Sequence, residues 1–158
     1  MPNGTLPDDL DRAILAVLQE DARLTNRAIA ARVGSSEPTV RRRIERLIAS
    51  GAIKIVAVAS PFALGYGVMA ILGLQIDRAY QRQIEDALNA MPEVRFVGLT
   101  LGSYDVLLEV WMQDNAALLA FLSDRLSAIP GIHRVESWQV LKLSKYSYDW
   151  GVQPSAGA

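Results

Sequence analysis

Between Gly34 and Gly51 the chain places Val40, Ile44, Leu47 and Ile48 at positions i, i+4, i+7 and i+8, interleaved with Arg41, Arg42, Arg43 and Arg46. That period belongs to a helix with a single buried stripe, and the stripe sorts every other side chain by geometry. Pro38, Thr39, Arg42, Glu45 and Arg46 face away from it, while Arg41 and Arg43 flank it and can carry their guanidinium groups outward over apolar stems. Ser36 supplies an N-cap, Glu37-Pro38 suit a first turn, and Gly51 stops the helix.

Two further helices precede it. Residues 8–20 hold Leu10, Ile14, Leu15, Val17 and Leu18 at helical spacing, with Asp8, Asp9 and Asp11 where a helix dipole favours negative charge. Thr25 caps a short helix ending at Val33, with Ile29 and Ala30 inward and Gly34 closing it. Two short helices joined by a glycine-containing turn, the second cationic on its outer side, form a helix-turn-helix pattern whose exposed N-terminal half suits a DNA major groove.

The charge distribution agrees. The formal net charge is −1, yet residues 1–60 hold 9 basic and 7 acidic side chains while residues 61–158 hold 7 and 10. An arginine triplet alone fits a solvated helix face equally well; the three-helix spacing, the Gly34 turn and the Ser36 cap favour DNA. The candidate DNA-binding residues are Ser36, Thr39, Arg41, Arg42, Arg43 and Arg46, with Thr39 and Arg42 preferred for base edges and Arg43 and Arg46 equally suited to phosphates.

Residues 53–58, Ile-Lys-Ile-Val-Ala-Val, read as a short strand forming a wing or hinge. Ser60-Pro61 and Gly65-Tyr66-Gly67 follow, so the expected domains are 1–60 and 61–150, with 151–158 as a tail. In the second domain Ala90-Met91-Pro92 and Ala128-Ile129-Pro130 echo one another 38 positions apart, which predicts a duplicated strand–helix–strand unit. Its elements are strand 68–76, helix 78–90, strand 94–101, strand 104–112, helix 114–128 and strand 132–143. The expected class is thus α+β: an N-terminal winged helix-turn-helix and a C-terminal ferredoxin-like βαββαβ domain, with both helices on one sheet face. On residues 106–112 both faces are partly apolar, so a second copy of the chain is expected to cover the open one and to place two reading helices roughly 34 Å apart.

Several functions are thinly supplied. The absence of cysteine excludes disulfides and thiol chemistry, and His133 alone supports neither a metal site nor acid–base work; it reads as a surface residue. No metal or cofactor is expected. Residues 1–7 lack a positive flank and an apolar core, and no apolar run approaches the roughly 20 residues of a membrane span, so the expected location is the cytoplasm. Met91 and Met112 read as core fillers, and the aromatic stretch 146–150 as a packing segment.

The ordered combination of Asp11-Arg12-Ala13-Ile14-Leu15, Arg23-Leu24-Thr25, Ile29-Ala30, Val33-Gly34-Ser35-Ser36, Val40-Arg41-Arg42-Arg43-Ile44, Ser50-Gly51-Ala52-Ile53, Gly102-Ser103-Tyr104-Asp105 and Ile129-Pro130-Gly131-Ile132 resembles the Lrp/AsnC (feast/famine) transcription regulators over about positions 8–145. The resemblance implies a helix-turn-helix domain hinged to a βαββαβ ligand-sensing (RAM) domain, dimers formed through the sheets and often assembled into octamers, and an amino-acid effector bound between sensing domains. It places Gly102, Ser103, Tyr104 and Asp105 near the effector pocket, with Ser137 as a weaker candidate. A glycine turn admits a small ligand, Asp105 can pair with an ammonium group and Tyr104 offers a wall and a hydroxyl; an ordinary hairpin turn with Asp105 serving backbone donors fits the same residues. Ser35, where relatives have leucine, and Glu37 before Pro38 depart from the family pattern and bear on which operator is read. Siroheme decarboxylases resemble these regulators in fold, which keeps an enzyme as the alternative.

Overall fold

The structure is a computed structural model that describes residues 7–146. It divides into two compact units, one comprising the helices that end before Ala57 and the other spanning Val58–Ser144. The aromatic stretch 147–150 and the tail 151–158 lie outside the described residues.

The first unit is three helices: α1 (Asp9–Glu20), α2 (Asn26–Val33) and α3 (Glu37–Ala49). Asp8 caps α1 in a reciprocal box, accepting the Asp11 N–H at 2.9 Å while the Asp11 carboxylate accepts the Asp8 N–H at 3.2 Å. Thr25 caps α2, Gly34 ends it in a left-handed conformation, and Ser36 caps α3. Ile14, Ile29, Ala30, Val40 and Ile44 form the core, with Leu10, Val17, Leu18, Leu24 and Val33 packed around it. Leu47 is buried as expected, but Ile48, the last member of the predicted stripe, is 46% exposed. A helix turns 100° per residue, so Ile48 falls at the edge of a face already filled by Val40, Ile44 and Leu47.

The strand expected over residues 53–58 does not form within the chain. Its residues have strand propensity, but an extended segment becomes a strand only by pairing, and among the described residues no ladder partner lies beside it. Ile55, Val56 and Val58 stand exposed.

The second unit is one four-stranded sheet with two helices on one face. The strands are β1 (Val68–Ile76), β2 (Val94–Leu99), β3 (Val106–Met112) and β4 (Ile132–Gln139), ordered β2-β3-β1-β4 and all antiparallel. α4 (Gln81–Asn89) links β1 to β2 after a 3-10 turn at Arg78–Tyr80, and α5 (Asn115–Ala120) links β3 towards β4. The connectivity is βαββαβ, the predicted ferredoxin-like order. The covered face carries Ala70, Leu72 and Leu74 of β1 and Val106, Leu108 and Val110 of β3 against Ile84, Leu88, Leu118, Phe121 and Leu126. Met112 belongs to this core and Met91 packs on it.

The helix predicted over 114–128 is shorter in its α-helical part. After α5 the chain winds on as a π-helical segment, Phe121–Leu126. The opposite sheet face has no covering helix: Phe96 and Trp138 are exposed there, while Trp111 is shielded by an edge-on contact with Phe62 at 5.6 Å. Among the described residues no helix is long and apolar enough to cross a membrane.

Candidate nucleic-acid interface and effector loop

The predicted DNA-binding residues separate into two groups along α3. Pro38, Thr39, Arg41, Arg42 and Glu45 line one shallow depression on the outer side of the helix. Arg41 and Arg42 are exposed and, among the described residues, form no ion pair. The Ser36 and Thr39 hydroxyls lie 2.8 Å apart, so the N-terminal turn presents them together.

Arg43 and Arg46 point elsewhere. Arg46 donates to Asp11 Oδ2 at 2.5 Å, and Arg43 donates to Asp11 Oδ1 at 3.1 Å and also to Asp8. Asp11 is buried, with 1% of its surface exposed, and a buried carboxylate must be paired and hydrogen-bonded to offset its lost hydration. Here two guanidinium groups and the Asp8 N–H do so, fixing α1 against α3. The hydrogen bond from Arg43, followed by that from the Asp11 N–H, holds the Asp8 carboxyl below its ordinary value; Asp8 and Asp11 in turn raise Arg43. The sequence signal for this clamp was an acid at i−3 from Ile14 on the apolar stripe of α1, which dipole arguments alone assign to the surface.

Residues 100–105 form the connection between β2 and β3. The loop is tied down at both ends: the Thr100 N–H donates to Asp105 O at 2.9 Å and the Thr100 hydroxyl to Tyr104 O at 2.6 Å. Asp105 Oδ2 accepts the Ile76 N–H at 3.0 Å, its own N–H donates to Leu74 O at 2.9 Å, and Arg78 stands 3.8 Å from Oδ1. Asp105 therefore serves backbone donors and retains one weakly paired oxygen. Gly102 has φ +148°, a conformation side chains rarely adopt. Leu101, Gly102 and Ser103 are exposed at the tip.

Tyr104 turns onto the open sheet face. Its ring crosses Gly73 and meets Trp138 edge-on at 5.3 Å, and its hydroxyl donates to Glu136, whose other oxygen accepts from Arg134 at 2.5 Å. The Glu136 carboxylate disfavours a second negative charge and so raises the Tyr104 hydroxyl above its ordinary value. Gly73, Glu136, Arg134 and Trp138 thus join the loop, and none was singled out from the sequence. A glycine within an otherwise apolar strand marks a close approach and could have exposed the first of them.

Ser137 is not brought to the loop. It pairs with Leu72, whose side chain lies on the helix-covered face, whereas Glu136 and Trp138 point to the face that carries Tyr104. Strand alternation separates it from Tyr104 and Asp105. His133 is exposed, as its sequence context predicts. No group of three or more metal-ligating side chains is found among the described residues.

A family model described as winged helix-turn-helix DNA-binding matches residues 7–54, and one described as the Lrp/AsnC ligand binding domain matches residues 69–150. The chain is 35% identical to an uncharacterised HTH-type transcriptional regulator of Pyrococcus abyssi, covering 89% of this chain and 90% of that one. It is 33% identical to the HTH-type transcriptional regulator FL11 of Pyrococcus furiosus, over 87% of this chain and 91% of the relative. Among solved structures, E. coli AsnC superposes with TM-score 0.84 at 28% identity, covering 90% of this chain and 97% of that one. A transcriptional regulator from Neisseria meningitidis in complex with L-Met superposes with TM-score 0.83 at 31% identity, covering 91% and 95%. With the arginine-bearing reading helix and the βαββαβ domain both in place, the chain belongs to the Lrp/AsnC family of DNA-binding transcriptional regulators.

Proposed function

We propose that this regulator acts as a homodimer, or as an octamer built of four such dimers, that reads a roughly palindromic operator and responds to a small amino acid. Residues 1–60 serve as the DNA-binding domain and residues 61–150 as the sensing and assembly domain. The observation that carries the reading is the split of the α3 arginines: Arg41 and Arg42 are exposed beside Ser36 and Thr39, while the Asp11 clamp immobilises the helix beneath them. Arg42 and Thr39 face base edges and Arg41 a phosphate; Arg43 and Arg46 act chiefly as positioning residues.

Gly102, Ser103, Tyr104 and Asp105 form the effector loop, with Glu136 and Arg134 behind Tyr104 in place of Ser137. The L-Met complex of the Neisseria relative supports an amino-acid effector, and the exposed Phe96 and Trp138 support burial of the open sheet face by a second copy. The effector works by binding two assembly states unequally, a coupling of typically about 1–3 kcal/mol. The protein works on DNA in the cytoplasm as a non-enzymatic regulator, as its relatives' names support. Selection of bound genomic fragments with and without each of the twenty amino acids, together with sedimentation of the full chain, tests the reading. Failure to retain any fragment, or a strictly monomeric chain, overturns it.

A further inference from the structure

A second candidate site lies in the βαββαβ domain and shares no residue with the effector loop. A cleft of about 450 Å³ opens between the start of β2, the end of β3 and the α5–π segment. Its apolar walls include Trp111, Met112 and Phe121, and its polar groups include Glu93, Asp124 and Arg125. The volume is within the range of small-ligand sites.

Glu93 is the informative group. Its Oε1 accepts from Arg125 at 2.7 Å, but its Oε2 is buried with no hydrogen-bond partner, the one such side-chain atom among the described residues. A buried carboxylate oxygen without a donor costs free energy that a bound donor recovers. The Glu93 backbone is anchored to β3, its carbonyl accepting the Trp111 N–H at 3.0 Å, and the Arg125 bond to Oε1 orients the carboxylate. Arg125 is held in turn, with its guanidinium carbon 6.0 Å from the Phe121 ring centroid. Glu93 and Asp124 against Arg125 leave the cleft one negative charge in excess.

A second observation points to the same place. Phe121, Asp124 and Arg125 all come from the π-helical segment Phe121–Leu126. A π turn is rare, and where one widens a helix it is frequently at a functional site. Here the widened turn brings an aromatic wall, an acid and a base to one cleft.

We propose that this cleft binds a small organic ammonium ion with an apolar body, its N–H groups donating to Glu93 Oε2 and its body lying against Phe121 and Met112, with Trp111 at the rim. Apolar walls and a single orphaned oxygen do not suit a hydrated metal ion, which needs several oxygen ligands. The ammonium group has two sources, a simple amine or an α-amino acid whose carboxylate meets Arg125. The site goes beyond the function proposed above, and its failure leaves that reading intact.

The test is 19F spectroscopy of the full chain labelled with 5-fluorotryptophan, titrated with phenethylamine and separately with L-phenylalanine. Of the three tryptophans, Trp111 reports the cleft and Trp138 the effector loop, each resonance assigned against that of Trp150 by single Trp→Phe variants, so the two sites are told apart in one spectrum. The expected result is saturable movement of the Trp111 resonance, with affinity weakened at least tenfold in Glu93→Gln. Ala120→Phe, a substitution at an exposed lining position, fills the cleft without touching the Glu93–Arg125 pair and also abolishes the shift. Response to phenethylamine identifies a simple amine as sufficient, and response to L-phenylalanine alone identifies the amino acid; either supports the site. No Trp111 response to either probe, or wild-type affinity retained in either the Glu93→Gln or the Ala120→Phe variant, overturns it.

Discussion

The Tyr104 ring lies so close over Gly73 that a Cβ there would stand 2.7 Å from Tyr104 Cγ and Cδ1. Strand β1 therefore sets the position of a loop residue from the middle of the sheet. Gly73→Ala forces the ring away from Glu136 and Trp138, at a cost of about 1–3 kcal/mol. A lowered thermal midpoint and a blunted effector response, with DNA affinity of the folded protein retained, are the expected outcomes; an unchanged midpoint would contradict the close approach.

Arg42 and Asp11 separate recognition from support. Arg42→Ala weakens operator binding by at least tenfold and leaves the unfolding midpoint unchanged, because the side chain is exposed and unpaired. Asp11→Ala removes half of the α1 capping box and the acceptor for Arg43 and Arg46, at a cost of about 2 kcal/mol in chemical denaturation. Binding and denaturation measured on both variants check the division, which fails if Arg42→Ala binds normally.

If Arg42 reaches the phosphates flanking its base as well as Arg41 its own, two outward arginines per protomer imply about four neutralised phosphates for a bound dimer. The logarithm of the binding constant should fall against the logarithm of salt concentration with a slope of about −4. A slope near −7, the value for about four phosphates per protomer, would show that Arg43 and Arg46 also leave Asp11 for the DNA backbone.

The acid limb of stability depends in part on Asp8. Its folded pKa lies below the ordinary aspartate value of 3.8, chiefly through the Arg43 hydrogen bond. The stabilisation is fully present above that ordinary value and is lost as pH falls through the lower folded one. Urea midpoints of the wild type should drop across that window more steeply than those of Asp8→Asn. Parallel acid limbs for the two proteins would remove Asp8 from the account.

Asp105→Ala deletes the acceptor of the Ile76 N–H and loosens the loop. Effector-induced change in assembly, followed by sedimentation, should be lost while DNA binding without effector persists. Ser137→Ala should leave both unchanged, since Ser137 sits across the sheet from Tyr104.

The elements whose information is local were legible in the sequence. Thr25 and Ser36 cap the helices they were expected to cap, Asp8 caps α1 where only a dipole-favoured acid was read, and the Pro92 and Pro130 echo marked the two halves of the βαββαβ unit. What was not legible depends on contacts distant in sequence. Arg43 and Asp11 are 32 positions apart, as are Tyr104 and Glu136, and no spacing rule links either pair. The face of Ser137 was not legible because alternation along β4 decides it, and that alternation is anchored by the register with Leu72. The π turn after Ala120 has no composition signal, since its residues suit an ordinary helix equally well.

The extended run after α3 leaves Val56 67% exposed, with Ile55 and Val58 more than half bare. Such a bare edge welcomes any stretched peptide that drifts past, its own kind included.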